Sequence, residues 1–115
     1  MFGFGKKVAS VDRGKVVAFA DWFFANEERI RRSVDNGRTD EKSMYAVLDE
    51  VEAALRTVYR DGYKGNPEFD YGGSGDEWEL YLYHKSNKFL ISATEMLTEE
   101  LSSRGSAIWR FISDR

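Results

Sequence analysis

Apolar positions along the chain follow first a helical period, then a strand period, then a helical one again. Between about residues 13 and 35, Val16, Phe19, Ala20, Phe23, Ile30 and Val34 share one helical face. Trp22 flanks that face on one side, Val17 and Phe24 on the other, so the apolar stripe is wider than one contact surface requires. Asp12 or Ser10 can cap the start, and Asn36-Gly37 supplies a left-handed stop. Glu27 and Arg31, like Glu28 and Arg32, sit four apart with the acid first, the better order on a helix. A second helix runs through Met44, Val47, Leu48, Val51, Leu55, Val58 and Tyr59. Thr39 or Asp40 can cap it, and Gly62 follows its last turn. The short connection makes the two helices antiparallel neighbours.

After Pro67 the period falls to two. Phe69 and Tyr71 alternate with Glu68 and Asp70; Trp78, Leu80 and Leu82 alternate with Glu79, Tyr81 and Tyr83. Each run reads as a strand with one buried face. The glycine stretch between them reads as a hairpin tip joining antiparallel strands. From Ser86, a plausible cap, Leu90, Ala93, Leu97 and Leu101 again share a helical face, with Phe89 and Met96 beside them. Residues 88–93, KFLISA, also suit a strand on composition. Ala107 to Ile112 is rich in β-formers and reads as a last strand. The predicted order is α-α-β-β-α-β: an α+β fold with a small antiparallel sheet packed against helices. The length of 115 residues suits one domain spanning 1–115, with residues 1–11 read as a flexible arm.

Composition narrows the chemistry. There is no cysteine, which removes disulfides, thiolate metal sites and cysteine nucleophiles, and fits a reducing cytoplasm. The opening MFGFGKKVASVDRGK has no apolar core of a secretory signal, and no apolar run approaches a membrane span, so a cytoplasmic location is expected. The net charge of −3 is unevenly spread. Residues 1–38 carry eight basic and five acidic side chains; residues 68–100 carry eight acids against Lys85 and Lys88. Such polarity bears on partners and association rates rather than fold.

The stretch YGGSGDEWELYLYH, residues 71–84, invites comparison with a phosphate-binding loop. A P-loop needs a lysine after the last glycine and a helix next; here Asp76 and Glu77 follow, then a strand pattern. A hairpin tip is the better reading. Asp70, Ser74, Asp76, Glu77 and Glu79 offer oxygens near glycines, but without the spacing of a calcium loop. His84 is the only histidine and lacks a recognisable nucleophile motif. Lys6, Lys7, Arg13 and Lys15 lie near Phe2 and Phe4, as in base-stacking surfaces, yet a pI near 5.2 argues against nucleic acid. No cofactor motif is present, and no cofactor, metal or catalytic residue is assigned.

With Trp78, Leu80 and Leu82 turned inward, Glu79, Tyr81 and Tyr83 face the other way. Left uncovered, that side of the hairpin displays tyrosines ringed by acids, a composition suited to protein contacts. Tyrosine is also a common β-former on an ordinary half-exposed face. The pattern F-x-x-W-F-x-x-N-E, carried by Phe19, Trp22, Phe23, Asn26 and Glu27, resembles the opening helix of small uncharacterised bacterial proteins. Some bacterial α+β domains of this appearance are immunity proteins that neutralise a cognate toxin. The resemblance implies a toxin-neutralising domain but assigns no residue; the hairpin composition itself points to a non-enzymatic domain that holds a basic protein partner, such as a toxin, through Asp70, Asp76, Glu77, Glu79, Tyr81 and Tyr83. The alternatives are a small carboxylate- or metal-dependent hydrolase and a self-associating domain, a homodimer with the first helix or the last strand at its interface.

Overall fold

A computed structural model describes residues 10–115; the arm expected for residues 1–11, with Phe2, Phe4, Lys6 and Lys7, lies outside the described residues except for Ser10 and Val11. Helix α1 (Arg13–Asp35) starts where Asp12 accepts the Lys15 N–H at 3.2 Å, so one orphan amide of the first turn is satisfied. Helix α2 (Glu41–Tyr59) starts in the same way at Asp40, whose carboxylate accepts the Ser43 N–H and hydroxyl. Both bonds favour the ionised form and hold the Asp40 carboxyl below its usual range. Strand β1 (Glu68–Ser74) turns into β2 (Glu77–Tyr83), α3 (Lys88–Ser103) follows, and β3 (Trp109–Asp114) ends the fold. The architecture is α+β in the order α-α-β-β-α-β.

The segment 88–93 is helical. Leu90, Ala93, Leu97 and Leu101 are all buried, and burial of that face decides between helix and strand. The cap is Asn87, not Ser86: the Asn87 side chain accepts the Leu90 N–H at 3.0 Å. Lys85 and Ser86 instead take left-handed backbone, φ 54° and 59°, to turn the chain from β2 into α3. His84 belongs to this turn, its Nδ1 accepting the Ser86 N–H at 3.0 Å.

The strands lie in the order β1-β2-β3. β1 and β2 pair antiparallel; β2 and β3 pair parallel, with Trp78 opposite Trp109 and Leu80 opposite Phe111. The sheet is therefore mixed rather than wholly antiparallel. The reason is topological: α3 carries the chain back to the end where β2 began, and a strand entered through such a crossover runs parallel to its predecessor.

Inner-face residues Trp78, Leu80, Leu82 and Trp109 are buried against α1 and α3. Phe23 meets Trp109 edge to face at 5.0 Å and Phe111 at 5.5 Å. Thr94 of α3 is within 2.7 Å of the Ser113 hydroxyl. α2 packs mainly on α1. The wide stripe of α1 is thus explained by two neighbours: Phe24 reaches Phe111 of the sheet, while Trp22 lies beside Ala53 and Ala54 of α2. The other residues of the F-x-x-W-F-x-x-N-E pattern are also architectural. Asn26 donates to the Trp22 carbonyl at 2.8 Å, and Glu27 accepts the Trp109 Nε1–H at 2.8 Å and the Arg31 Nε–H at 2.9 Å. Arg31, then the Trp109 bond, holds the Glu27 carboxyl below its usual range against partial burial.

Ser74 pairs with Glu77, which leaves Gly75-Asp76 as a two-residue loop. Gly75 has φ 57°, as the first position of a type II′ hairpin turn demands. Trp78 Nε1 donates to the Gly75 carbonyl at 3.0 Å and ties the turn to the core. Gly73 is required for a different reason: a Cβ there would strike the Glu77 carbonyl oxygen and lie 2.7 Å from Trp78 Cα. At Gly72 a Cβ would meet nothing within 4 Å. Gly73→Ala is therefore expected to cost about 1–3 kcal/mol as an overpacking change, and Gly72→Ala less than about 0.5 kcal/mol. Urea titration of both variants tests this; equal costs would mean that the close approach at Gly73 is absent.

Candidate functional site

Alternation along the strands and the register between them decide which side chains share the second face. Glu68 and Asp70 of β1 lie opposite Tyr83 and Tyr81. Glu79, Tyr81 and Tyr83 of β2 lie opposite Arg110, Ile112 and Asp114 of β3. Among the described residues, α1 and α3 meet the sheet through its inner side, by way of Phe23, Phe24 and Thr94. No helix of the described residues packs on the second face.

Five of the six residues expected to bind a partner come together here: Asp70, Glu77, Glu79, Tyr81 and Tyr83. Asp76 stands at the tip of the turn, at one end of the same face. The Tyr81 and Tyr83 rings stack with centroids 6.2 Å apart and planes 9° from parallel. The Tyr81 hydroxyl donates to Glu79 Oε1 at 2.8 Å. That carboxylate, as acceptor, holds the Tyr81 phenol above its ordinary range. Both tyrosines are half-buried by their neighbours on the sheet. They form a preordered aromatic platform with little rotamer freedom left to lose.

The acidic ring is less uniform than sequence alone suggests. Arg110 Nη2 pairs with Glu79 Oε2 at 2.8 Å, and Lys85 Nζ with Glu68 Oε2 at 2.5 Å. The Glu68 partner raises the Lys85 ammonium pKa. Asp70, Asp76, Glu77 and Asp114 have no salt bridge among the described residues, and all four are exposed. These carry the negative potential. Arg110, Ile112 and Asp114 went unrecognised in the sequence because their place beside Tyr81 depends on β3 running parallel to β2. The only available signal was their own alternation with Trp109, Phe111 and Ser113.

At the hairpin end the face opens into a groove of about 460 Å³ between the two turns that precede β2 and β3. Gly72 and Gly73 line it together with Asp76, Glu77, Glu79 and Arg110. The missing side chain at Gly72, where a Cβ would meet nothing within 4 Å, leaves room, and the carboxylates at the rim suit a cationic group. Among the described residues no three carboxylate or histidine side chains are grouped to hold a metal ion. No helix among them is long and apolar enough to cross a membrane. No protein-family model, curated protein or solved structure matches this chain.

Proposed function

We propose that this chain is a non-enzymatic binding domain that holds a basic protein on the helix-free face of its sheet, as an immunity protein holds a basic toxin. The observation that carries the reading is the stacked Tyr81–Tyr83 pair, set on a face that no helix among the described residues covers and bordered by Asp70, Glu77 and Asp114. Stacked tyrosines supply contact area at low entropic cost, as in the centres of protein interfaces. The carboxylates steer a cationic partner and speed its encounter. A lysine or arginine of the partner fits the groove beside Asp76 and Glu77. Glu79 has a positioning role: it holds the Tyr81 hydroxyl and is itself held by Arg110.

The test uses the wild-type domain and an Asp70→Lys/Asp76→Lys variant as baits against soluble extract of the native host. Both aspartates are exposed and without salt bridges among the described residues, so melting should shift by less than about 4 °C. The captured protein is expected to be basic, and its association rate with the variant at least about tenfold lower and less salt-dependent. An acidic partner, or association unaltered by the charge reversal, would remove the reading. A Tyr81→Ala/Tyr83→Ala variant locates the contact; full affinity in its absence would place the partner elsewhere.

A further inference from the structure

β3 is an edge strand, and its free side has a defined hydrogen-bonding pattern. The Trp78 N–H bonds the Ile108 carbonyl and the His84 N–H bonds the Asp114 carbonyl, both at 2.9 Å. Successive residues of a strand alternate sides, so Arg110 and Ile112 also direct their backbone groups at β2. Trp109, Phe111 and Ser113 direct theirs away from it. The Trp109 N–H is taken up by Ser106 Oγ at 3.0 Å. Among the described residues no strand pairs with the outward groups of Phe111 and Ser113. Such an edge is a template for another strand unless something blocks it.

Side chains at this edge are complementary to themselves. In an antiparallel pairing of β3 with a second β3 centred on Ile112, Phe111 falls opposite Ser113 of the other copy. Both residues point outward, so these become the hydrogen-bonded pairs. Ile112 then faces Ile112 of the second copy. Arg110 faces Asp114 of the second copy, and the pairing repeats by symmetry. Both charge pairs sit at non-hydrogen-bonded positions, where side chains approach most closely. Shifting the centre to Phe111 sets Arg110 against Ile112; shifting it to Ser113 sets Ile112 against Asp114. Either shift loses both charge pairs. The Arg110 side chain is 74% exposed, so it can reach across while Glu79 holds one nitrogen. Asp114 accepts the Arg115 N–H at 2.8 Å and has no salt bridge among the described residues.

We propose that two copies of this chain join β3 to β3, antiparallel about Ile112, and extend the three-stranded sheet to a continuous six-stranded one. The interface is isologous, as two-fold dimers require. The Tyr81 and Tyr83 platforms of the two copies then lie on one shared face. The pairing rests on β3 alone and stands independently of whether a basic protein binds.

The chain has no cysteine, so any engineered single thiol that forms a disulfide must do so between copies. At the dyad the two Ile112 Cα atoms lie about 4.5 Å apart, inside the range a disulfide spans. Ile112→Cys is expected to form covalent dimer under mild oxidation at least about tenfold faster than Tyr45→Cys, the rate advantage of a held thiol over a colliding one. Tyr45 is 55% exposed on α2 and serves as the control. Adding Arg110→Asp should slow the Ile112→Cys reaction to the control rate, and adding Asp114→Arg as well should restore it. Wild-type protein at about 100 μM, roughly a hundredfold above a micromolar Kd, should scatter as twice 13.3 kDa. A mass of 13.3 kDa at that concentration, with Ile112→Cys no faster than Tyr45→Cys, overturns the proposal and leaves Arg110 and Asp114 as charges that guard an edge. Cross-linking indifferent to the charge swap overturns the register.

Discussion

Replacing Phe23 by alanine is expected to destabilise the fold by about 3–5 kcal/mol, enough to bring a domain of ordinary stability close to unfolding. Phe23 is fully buried and meets four aromatic rings from two elements, Phe19 stacking on it at 6.3 Å. Phe24 lies edge-on at 5.4 Å, Trp109 at 5.0 Å and Phe111 at 5.5 Å. Truncation removes the apolar burial of a whole ring and leaves a cavity between α1 and β3. It also withdraws the surface against which Trp109 is held, although Glu27 still accepts the Trp109 Nε1–H. The neighbours cannot close the gap cheaply, because Trp109 is itself pinned by pairing with Trp78 across the sheet. Urea unfolding should show a lower midpoint with an unchanged slope. Phe24→Ala, at a half-buried position, should cost clearly less. Equal costs for the two variants would show that the inner face of α1 is centred elsewhere.

The second large effect is alkaline. Tyr59 is 1% exposed, and its hydroxyl has no hydrogen-bond partner among the described residues. Burial disfavours the phenolate and pushes its pKa well above the ordinary tyrosine value. Tyr71 is shifted the same way, up to about 12, chiefly by burial. Ser33 stands near the Tyr71 hydroxyl, but its own hydroxyl donates to the Ile30 carbonyl at 2.7 Å, and no bond of acceptable geometry reaches the phenol. In the unfolded chain both tyrosines ionise near pH 10. Above that pH the unfolded state binds fewer protons than the folded one, so stability falls as pH rises. The contribution is complete below about pH 10 and is lost from there up to the folded-state pKa, at about 1.4 kcal/mol per pH unit for Tyr59. Tyr59→Phe removes the titrating group and an unpaired buried hydroxyl together. The variant is expected to equal or exceed wild type by about 1 kcal/mol at neutral pH and to lose less stability between about pH 10 and 12. Urea titrations across that range read both effects. A variant less stable than wild type at neutral pH would mean that the hydroxyl does have a partner.

How much of this was legible beforehand differs between the elements. For α1 and α2 the apolar repeat and the capping aspartates agree, and local agreement of that kind is sufficient to define a helix. α1 does stop at Asn36-Gly37, but not through the left-handed residue expected, because Asn36 has φ −87° and residues 36–38 continue as a 3-10 turn into α2. The hairpin was equally open to reading, since alternation on both sides of a glycine turn already separates Trp78, Leu80 and Leu82 from Glu79, Tyr81 and Tyr83. α3 was ambiguous at KFLISA because β-branched and aromatic residues suit either state over so short a run. Its helical form follows from the burial of Leu90, Ala93, Leu97 and Leu101 together. The acidic rim was half legible: Asp70, Asp76 and Glu77 stand exposed as anticipated, whereas Glu79 is engaged by a residue thirty-one positions further on.

The amino-acid sequence by itself determined the local elements and the inward or outward sense of each side chain, because these depend on periodicity and on caps a few residues away. The tertiary structure alone decided which strands lie side by side and in which direction. Nothing in a period of two specifies a neighbour. The crossover through α3 brings β3 in parallel to β2, and only that step sets Arg110 against Glu79, Ile112 beside Tyr81, and an unpaired backbone edge at the end of the sheet.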